Sequence, residues 1–186
     1  MLKNRREMEL FLGSLNHCGL WEAACEDPDQ KDRFVEGLLF HDFGRSAVIY
    51  VNGENNIGSE SWLNHTGAGS LLLFNGNSAG RILFVIDLFL KNSLAGLVIV
   101  DSLMALDCGE GEQRLHFLRR IDALCREYNG VCLFFNYMRD DQESFFSYQL
   151  AGLFSVRIKI VSKSRNMLFL ETMKNSGRGR YPEISI

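Results

Sequence analysis

GLVIVD, residues Gly96–Asp101, is an apolar run that ends in a carboxylate, and it decides the fold class of this chain. Such runs are typical of strands buried on both faces, as the strands of a parallel sheet are. Three further runs have the same character, and segments with helical periodicity lie between them. This alternation predicts an α/β domain with a right-handed, mostly parallel sheet flanked by helices. The other three runs are Ser46–Asn52 (SAVIYVN), Ser70–Phe74 (SLLLF) and Val131–Asn136 (VCLFFN).

Three segments predict helices. Ala79–Lys91 is strongly apolar, as a helix packed on a sheet is expected to be. Lys31–Phe43 places Phe34 and Leu38 along one side. Glu112–Tyr128 has apolar residues at steps of three and four with charges between them, which predicts an amphipathic helix. Its apolar positions are Leu115, Leu118, Ile121, Cys125 and Tyr128.

The last third of the chain changes character. Val156–Val161, Met167–Met173 and Tyr181–Ile186 are strand-like, and short polar turns at Ser162–Asn166 and Asn175–Arg180 join them. No helix fits between these strands. They predict an antiparallel β meander that finishes one edge of the sheet.

Length and composition predict one domain over residues 1–186, with residues 1–19 leading into its core, because 46% of the 186 residues are hydrophobic. The apolar run Leu94–Val100 is too short to span a membrane. No signal-peptide pattern is visible at the N-terminus. Five cysteines form no C-x-x-C pair and read as reduced thiols, and the four histidines lack metal-ligand spacing. These features predict a cytoplasmic protein with no metal site.

Charge is distributed unevenly along the chain. From residue 151 onward, seven basic residues stand against Glu171 and Glu183, a local charge of +5. The net charge of −3 therefore leaves −8 for the first 150 residues. A basic end of this size suits nucleic acid or an acidic protein, although solvated lysines and arginines on strand edges explain it equally well.

Four segments in order carry a resemblance to the core of the RecA recombinase superfamily, over roughly residues 9–186. GLVIVDSLMAL (Gly96–Leu106) resembles the Walker B strand, and IYVNGE (Ile49–Glu54) is similar to the strand with the catalytic glutamate. LFFNYMR (Leu133–Arg139) resembles the nucleotide-sensing strand. FSVRIKI (Phe154–Ile160) and ETMKNSGRGRYPEISI (Glu171–Ile186) resemble the terminal strands. The resemblance implies a RecA-like domain.

The phosphate-binding loop of such folds, G-x-x-x-x-G-K-[ST], is degenerate here. CEDPDQKD (Cys25–Asp32) stands in its register, where Lys31 matches the lysine but both glycines are absent and Asp32 replaces the hydroxyl. Pro28 removes one N–H donor. Four carboxylates would face an anionic ligand, so we expect no bound nucleotide and no cofactor. One of Asp27, Asp29 and Asp32 is expected to cap the Lys31–Phe43 helix instead.

The resemblance also implies roles for individual residues. Lys31, Glu54 and Asp101 match catalytic positions and read as vestigial, and Asp101 is interpreted either as a magnesium ligand or as a cap on the next turn. Lys174 and Asn175, in the predicted turn with Arg178 and Arg180, match a pair that contacts a neighbouring subunit's nucleotide. Candidate DNA contacts are the aromatic residues of the second loop and the basic edge, namely Phe145, Phe146, Tyr148, Lys163 and Arg165.

These features favour a pseudo-ATPase rather than an enzyme. The expected function is that of an accessory protein in DNA recombination, repair or damage-induced mutagenesis. Its expected partner is a RecA-fold recombinase, another DNA-repair protein or a polymerase-associated factor, with at most weak contact to single-stranded DNA. A divergent DNA-dependent ATPase and a weak DNA-binding module that uses the basic C-terminal edge are the alternatives.

Overall fold

The computed structural model describes residues 18–39, 47–53, 70–137, 152–164, 167–175 and 184–185. Within these ranges, three helices accompany eight strands that form one sheet. The elements in chain order are β1 (Gly19–Cys25), α1 (Pro28–Leu39), β2 (Ala47–Asn52), β3 (Ser70–Asn75), α2 (Ala79–Lys91), β4 (Leu97–Asp101), α3 (Glu112–Glu127), β5 (Val131–Tyr137), β6 (Val156–Ser164), β7 (Met167–Asn175) and β8 (Ile184–Ser185).

Six of the strands are parallel and form the centre of the sheet. The strand order is β3-β2-β4-β5-β1-β6-β7-β8, and each neighbouring pair from β3 to β6 runs in the same direction. Helix α2 connects β3 to β4, and helix α3 connects β4 to β5. Crossovers of this kind are what parallel neighbours require. The predicted α/β class is confirmed.

The C-terminal strands reverse direction. Strand β7 pairs antiparallel with β6, and the short β8 pairs antiparallel with β7. Strand β6 continues to Ser164, three residues beyond its predicted end, and β7 continues to Asn175. Lys174 and Asn175 are therefore the last residues of β7, and their predicted place in a turn is wrong. Ladder pairing with Arg157 and Val156 extends the strand that far.

Apolar side chains fill both faces of the sheet. On one face, α1 packs Phe34, Val35 and Leu38 against the strands, and Phe34 meets Phe135 edge to face with ring centroids 6.1 Å apart. Helices α2 and α3 cover the other face. Burial on both faces explains why the central strands lack polar alternation. None of the helices in the described ranges is long and apolar enough to span a bilayer.

The helices match their predictions to different degrees. Helix α2 has the predicted bounds. Helix α1 begins at Pro28 rather than Lys31, because proline is favoured at the first helical position, where its missing N–H costs nothing. In α3, Leu118, Ile121 and Cys125 are buried as predicted, whereas Leu115 is only half-buried, as is Tyr128, the residue that follows the helix. Phe117 joins the core in α3.

Strand β1 has no counterpart among the predicted apolar runs, since GLWEAAC contains a glutamate at its centre. Glu22 is nevertheless only 1% exposed. It lies between strands β5 and β6, directly opposite Arg157 of β6 in the ladder. A cation on the neighbouring strand makes burial of this carboxylate tolerable.

Candidate functional site at the carboxyl ends of the parallel strands

Polar residues end three of the central strands and lie at one edge of the sheet. Strand β2 ends at Asn52 and β4 ends at Asp101, and the two residues are direct partners in the parallel ladder. Cys25 ends β1 at the same edge. The Asp101–Ser102 peptide bond is cis. In open α/β sheets, ligands bind outside the carboxyl ends of the strands, so this edge is the first place to examine for a site.

The connection from β1 to α1 consists of two residues, Glu26 and Asp27, and it forms no open loop. The Asp27 carboxylate accepts a hydrogen bond from the Gln30 backbone N–H at 2.8 Å, and Gln30 Oε1 accepts one from the Glu26 N–H at 2.9 Å. This reciprocal arrangement is a close variant of a capping box. Asp27 is thus the N-cap, whereas Asp29 and Asp32 lie inside the helix. Side chains of the protein itself thus occupy the Glu26 and Gln30 N–H groups, which are therefore not available to a phosphate.

The Lys31 side chain forms an ion pair with Asp101. Its ammonium donates to Asp101 Oδ2 at 2.6 Å and also lies 3.7 Å from Asp32 Oδ1. Lys31 and Asp101 are each only 6% exposed. The Tyr50 hydroxyl donates to the same Asp101 oxygen at 2.8 Å. Charge-assisted hydrogen bonds of this kind offset the cost of removing both ions from water.

Asp101 does not cap the following turn, so that interpretation is wrong. The turn Leu103–Ala105 has Ser102 at its N-cap, with no side-chain cap. The Asp101 carboxylate instead points to Lys31 and Tyr50, which follows because Asp101 shares the α1-facing side of β4 with Leu97 and Ile99. Alternation along the strand therefore sets its partner.

Three buried polar atoms at this edge have no hydrogen-bond partner within the described part of the chain. Two of them, the donor Asn52 Nδ2 and the acceptor Asp101 Oδ1, are on residues that are neighbours across β2 and β4. The third is Asn136 Oδ1, near the end of β5. Most buried polar groups in proteins are satisfied, so the hydrogen bonding at this edge is incomplete.

Cys25 lies beside this ion pair, but it is not poised as a nucleophile. Burial raises the pKa of its thiol to about 12, and the nearby Asp101 carboxylate adds to this, while Lys31 acts in the opposite direction. At neutral pH the sulfur is therefore a protonated thiol, and only the thiolate attacks electrophiles. Cys25 Sγ donates a weak hydrogen bond to the Asn136 backbone carbonyl at 3.6 Å.

A second buried ion pair lies on the opposite face of the sheet. Arg157 Nε forms a close ion pair with Glu22 Oε2, and Asn136 Nδ2 donates to Glu22 Oε1 at 2.8 Å. Glu22 and Asn136 share their face with Leu20 and Phe134, under α2 and α3. Asn136, near the end of β5, thus binds Glu22 and not the Lys31 cluster. No feature of the sequence predicted this link.

The remaining predicted residues separate into two groups. Lys163 lies near the end of β6, and Lys174 and Asn175 lie at the end of β7. The others lie outside the described residues, namely Glu54, Phe145, Phe146, Tyr148, Arg165, Arg178 and Arg180. Of the predicted catalytic positions, Lys31 and Asp101 lie within the described residues, and the structure brings these two together.

The residues at this edge do not fit a bound nucleoside triphosphate. The lysine is neutralised by Asp101, Asp27 occupies the helix N-terminus, and the surrounding side chains are anionic. The described residues also hold no group of three or more metal-ligating side chains. Neither protein-family models nor curated protein sequences match the chain.

Proposed function

We propose that this protein is a RecA-like pseudo-ATPase, an accessory protein of DNA recombination, repair or damage-induced mutagenesis that docks on a RecA-fold or polymerase-associated partner. One observation supports the proposed absence of ATP turnover. The Lys31 ammonium, which would have to reach the terminal phosphates, is buried against Asp101 at 2.6 Å. A nucleotide would have to break that pair before gaining any contact with the lysine.

Electrostatics argue in the same direction. Glu26 and Asp27 form the β1–α1 connection, and Asp29 and Asp32 follow in the first turns of α1. Two like charges about 4 Å apart near a protein surface repel by roughly 4 kcal/mol. A triphosphate at this position would meet several such repulsions, and Lys31 alone does not offset them.

The docking proposal draws on the polarity of the parallel sheet. Lys31 and Asp101 lie at the carboxyl ends of the strands, whereas the end of β7 pairs with Arg157 and Val156 near the amino end of β6. Lys174 and Asn175 therefore lie toward the opposite end of the sheet from the closed site. In a head-to-tail assembly, one end can complete a partner's site while the other end offers none. Such a subunit would cap a filament rather than extend it.

Nucleotide binding and capping are tested separately. Calorimetric titration with ATP and Mg²⁺ should give no saturable heat up to about 1 mM nucleotide, and a dissociation constant of about 10 μM or tighter would overturn the pseudo-ATPase assignment. The protein should also slow growth of an active RecA-type recombinase filament on single-stranded DNA at substoichiometric amounts. Self-assembly into long ATP-dependent filaments would contradict capping.

The capping interface has a matched control. Lys174→Ala combined with Arg178→Ala should weaken the inhibition of filament growth, because it removes the cations proposed to face the partner's nucleotide. Lys163→Ala changes the same residue type at the other end of the β6–β7 edge and should have little effect. Lys31→Ala, assayed where the variant is folded, should also leave inhibition unchanged. An equal loss of inhibition in Lys163→Ala would show that the interface is not at the end of β7.

The basic C-terminal third supports a second candidate, a weak DNA-binding module. Its charge of +5 predicts sequence-independent binding that falls steeply as salt rises. Reversal of Arg178 and Arg180 to glutamate should then abolish DNA binding in a fluorescence anisotropy titration. Tight binding, or binding indifferent to that change, would rule out this patch as the contact.

A further inference from the structure

A groove of about 850 Å³ runs between α2 and α3, on the face of the sheet away from α1. Its apolar lining comes from Leu83 of α2 and from Phe117 and Leu124 of α3. Both helices connect parallel strands and lie on the same face of the sheet, so they run in the same direction along the two sides of the groove. The groove is thus a continuous trough with one helix as each wall.

The α2 wall presents large apolar side chains to solvent. Phe84 is 66% exposed, and Leu88, one turn further on, is 42% exposed. Aromatic residues are enriched among the side chains that anchor protein interfaces. An exposed phenylalanine beside an apolar groove indicates an interaction surface, because covering it removes apolar area from water.

Opposite charges line the two walls. Asp87 lies on the α2 wall, and His116 and Arg120 lie on the α3 wall. Within the described part of the chain, the Asp87 carboxylate and the Arg120 guanidinium form no ion pair with each other or with another residue. The groove therefore offers one acidic side and one basic side, both available to a partner.

Asp87 and Arg120 occupy corresponding positions, because each is the ninth residue of its helix and lies about 12 Å from that helix's start. A twofold axis along the groove would lay α2 of one copy over α3 of the other. Each Asp87 would then face the wall of the second copy that carries Arg120.

We propose that this face is an isologous interface between two copies of the chain. The self-complementary charges select a second copy as the occupant, because a C2 contact uses the same patch twice and needs opposite charges at symmetry-related places. Two helices side by side, each about 20 Å long, cover roughly 400 Å² per copy. That area, about 800 Å² for both copies together, is smaller than a standard specific interface, so we expect a weak dimer that dissociates in the micromolar range. This interface is independent of the RecA-like assignment.

Analytical ultracentrifugation of the full chain from about 1 to about 100 μM tests the proposal. The wild-type protein should pass from monomer to dimer over this range, and Phe84→Glu should remain a monomer throughout. Leu94→Glu is the matched control, since Leu94 is 47% exposed but does not line the groove, and it should dimerise like wild type. A wild-type chain that stays monomeric, or a dimer indifferent to Phe84→Glu, overturns the interface.

Charge reversal tests the arrangement itself. Asp87→Arg and Arg120→Asp should each weaken dimerisation at least tenfold, because like charges then face each other. The double variant should recover most of the wild-type affinity, since both contacts are restored with inverted sign. Failure of the double variant to recover would overturn the twofold arrangement, as would an effect that appears only with a different protein bound. Circular dichroism confirms that the variants are folded.

Discussion

The two buried ion pairs of this molecule, one on each face of the sheet, differ in what they join. Lys31 reaches from helix α1 to Asp101 at the end of a strand, across 70 residues of sequence. Glu22 and Arg157 are instead partners in the ladder of adjacent strands β1 and β6. The first pair links a helix to the sheet, whereas the second links the sheet to itself.

The two carboxylates are also used to different extents. Both oxygens of Glu22 have partners, one from Arg157 and one from Asn136. Asp101 engages Lys31 and Tyr50 through a single oxygen and leaves Oδ1 without a partner. The Glu22 carboxylate is therefore fully paired, although the neighbouring Asn136 Oδ1 has no partner among the described residues, whereas the Asp101 carboxylate keeps one oxygen unpaired. Measurements of the free energy of unfolding can show which of the two ion pairs contributes more to stability.

The largest effect is expected from Glu22→Leu. This change removes the acceptor that the half-buried Arg157 cation shares with the buried Asn136 amide, and loss of one partner from a buried ion pair costs about 3–5 kcal/mol. Urea denaturation followed by circular dichroism measures the free energy of unfolding. The double variant Glu22→Leu with Arg157→Met should recover most of the loss, because an apolar pair leaves no charge unpaired. A loss below about 1 kcal/mol in the single variant would show that the pair contributes little.

Lys31→Met should cost less, about 2–3 kcal/mol, because Asp101 keeps its hydrogen bond from Tyr50. The same denaturation experiment measures the change. Adding Asp101→Asn to Lys31→Met should restore much of the stability, since the buried negative charge is then absent. If Lys31→Met equals or exceeds the effect of Glu22→Leu, the ranking of the two clusters is wrong.

The smallest effect concerns the helix that carries Lys31. Asp27→Ala removes the side-chain acceptor of the Gln30 N–H and should cost about 1 kcal/mol. Asp29→Ala is the control, because Asp29 is exposed and makes only a favourable interaction with the helix dipole, worth about 0.3–0.5 kcal/mol. Thermal unfolding by calorimetry resolves the two. Equal losses would mean that Asp27 acts through its charge rather than through its hydrogen bond.

The sequence predicted the strands and helices better than the contacts between them. Gly96–Asp101 and Ala79–Lys91 were located to within one residue, because unbroken apolar patterns report burial directly. Strand β1 was missed because Glu22 interrupts that pattern, and its burial depends on Arg157, which lies 135 residues away. Lys31 and Asp101 were both selected as candidates, but periodicity carries no information on their pairing. Lys174 was misplaced because pairing with β6, not local turn propensity, decides where β7 ends.

One further consequence follows from the way α1 begins. The chain between Cys25 and Lys31 has as many residues as a phosphate loop would need, but Pro28, Asp29 and Gln30 are already wound into the helix. On the proposed RecA-like descent, the phosphate-binding loop of the ancestor has been replaced by an additional helical turn of the same length and has not been deleted.

That conversion is hard to reverse one substitution at a time. A glycine placed in this turn loses helix stability, and a change at Asp27 loses the cap, before any phosphate contact is gained. Even if the phosphate-binding loop were restored, Lys31 would still be paired with Asp101. On the proposed RecA-like descent, each single substitution in the first turn of α1 toward a phosphate loop would therefore cost stability before it gains a nucleotide contact.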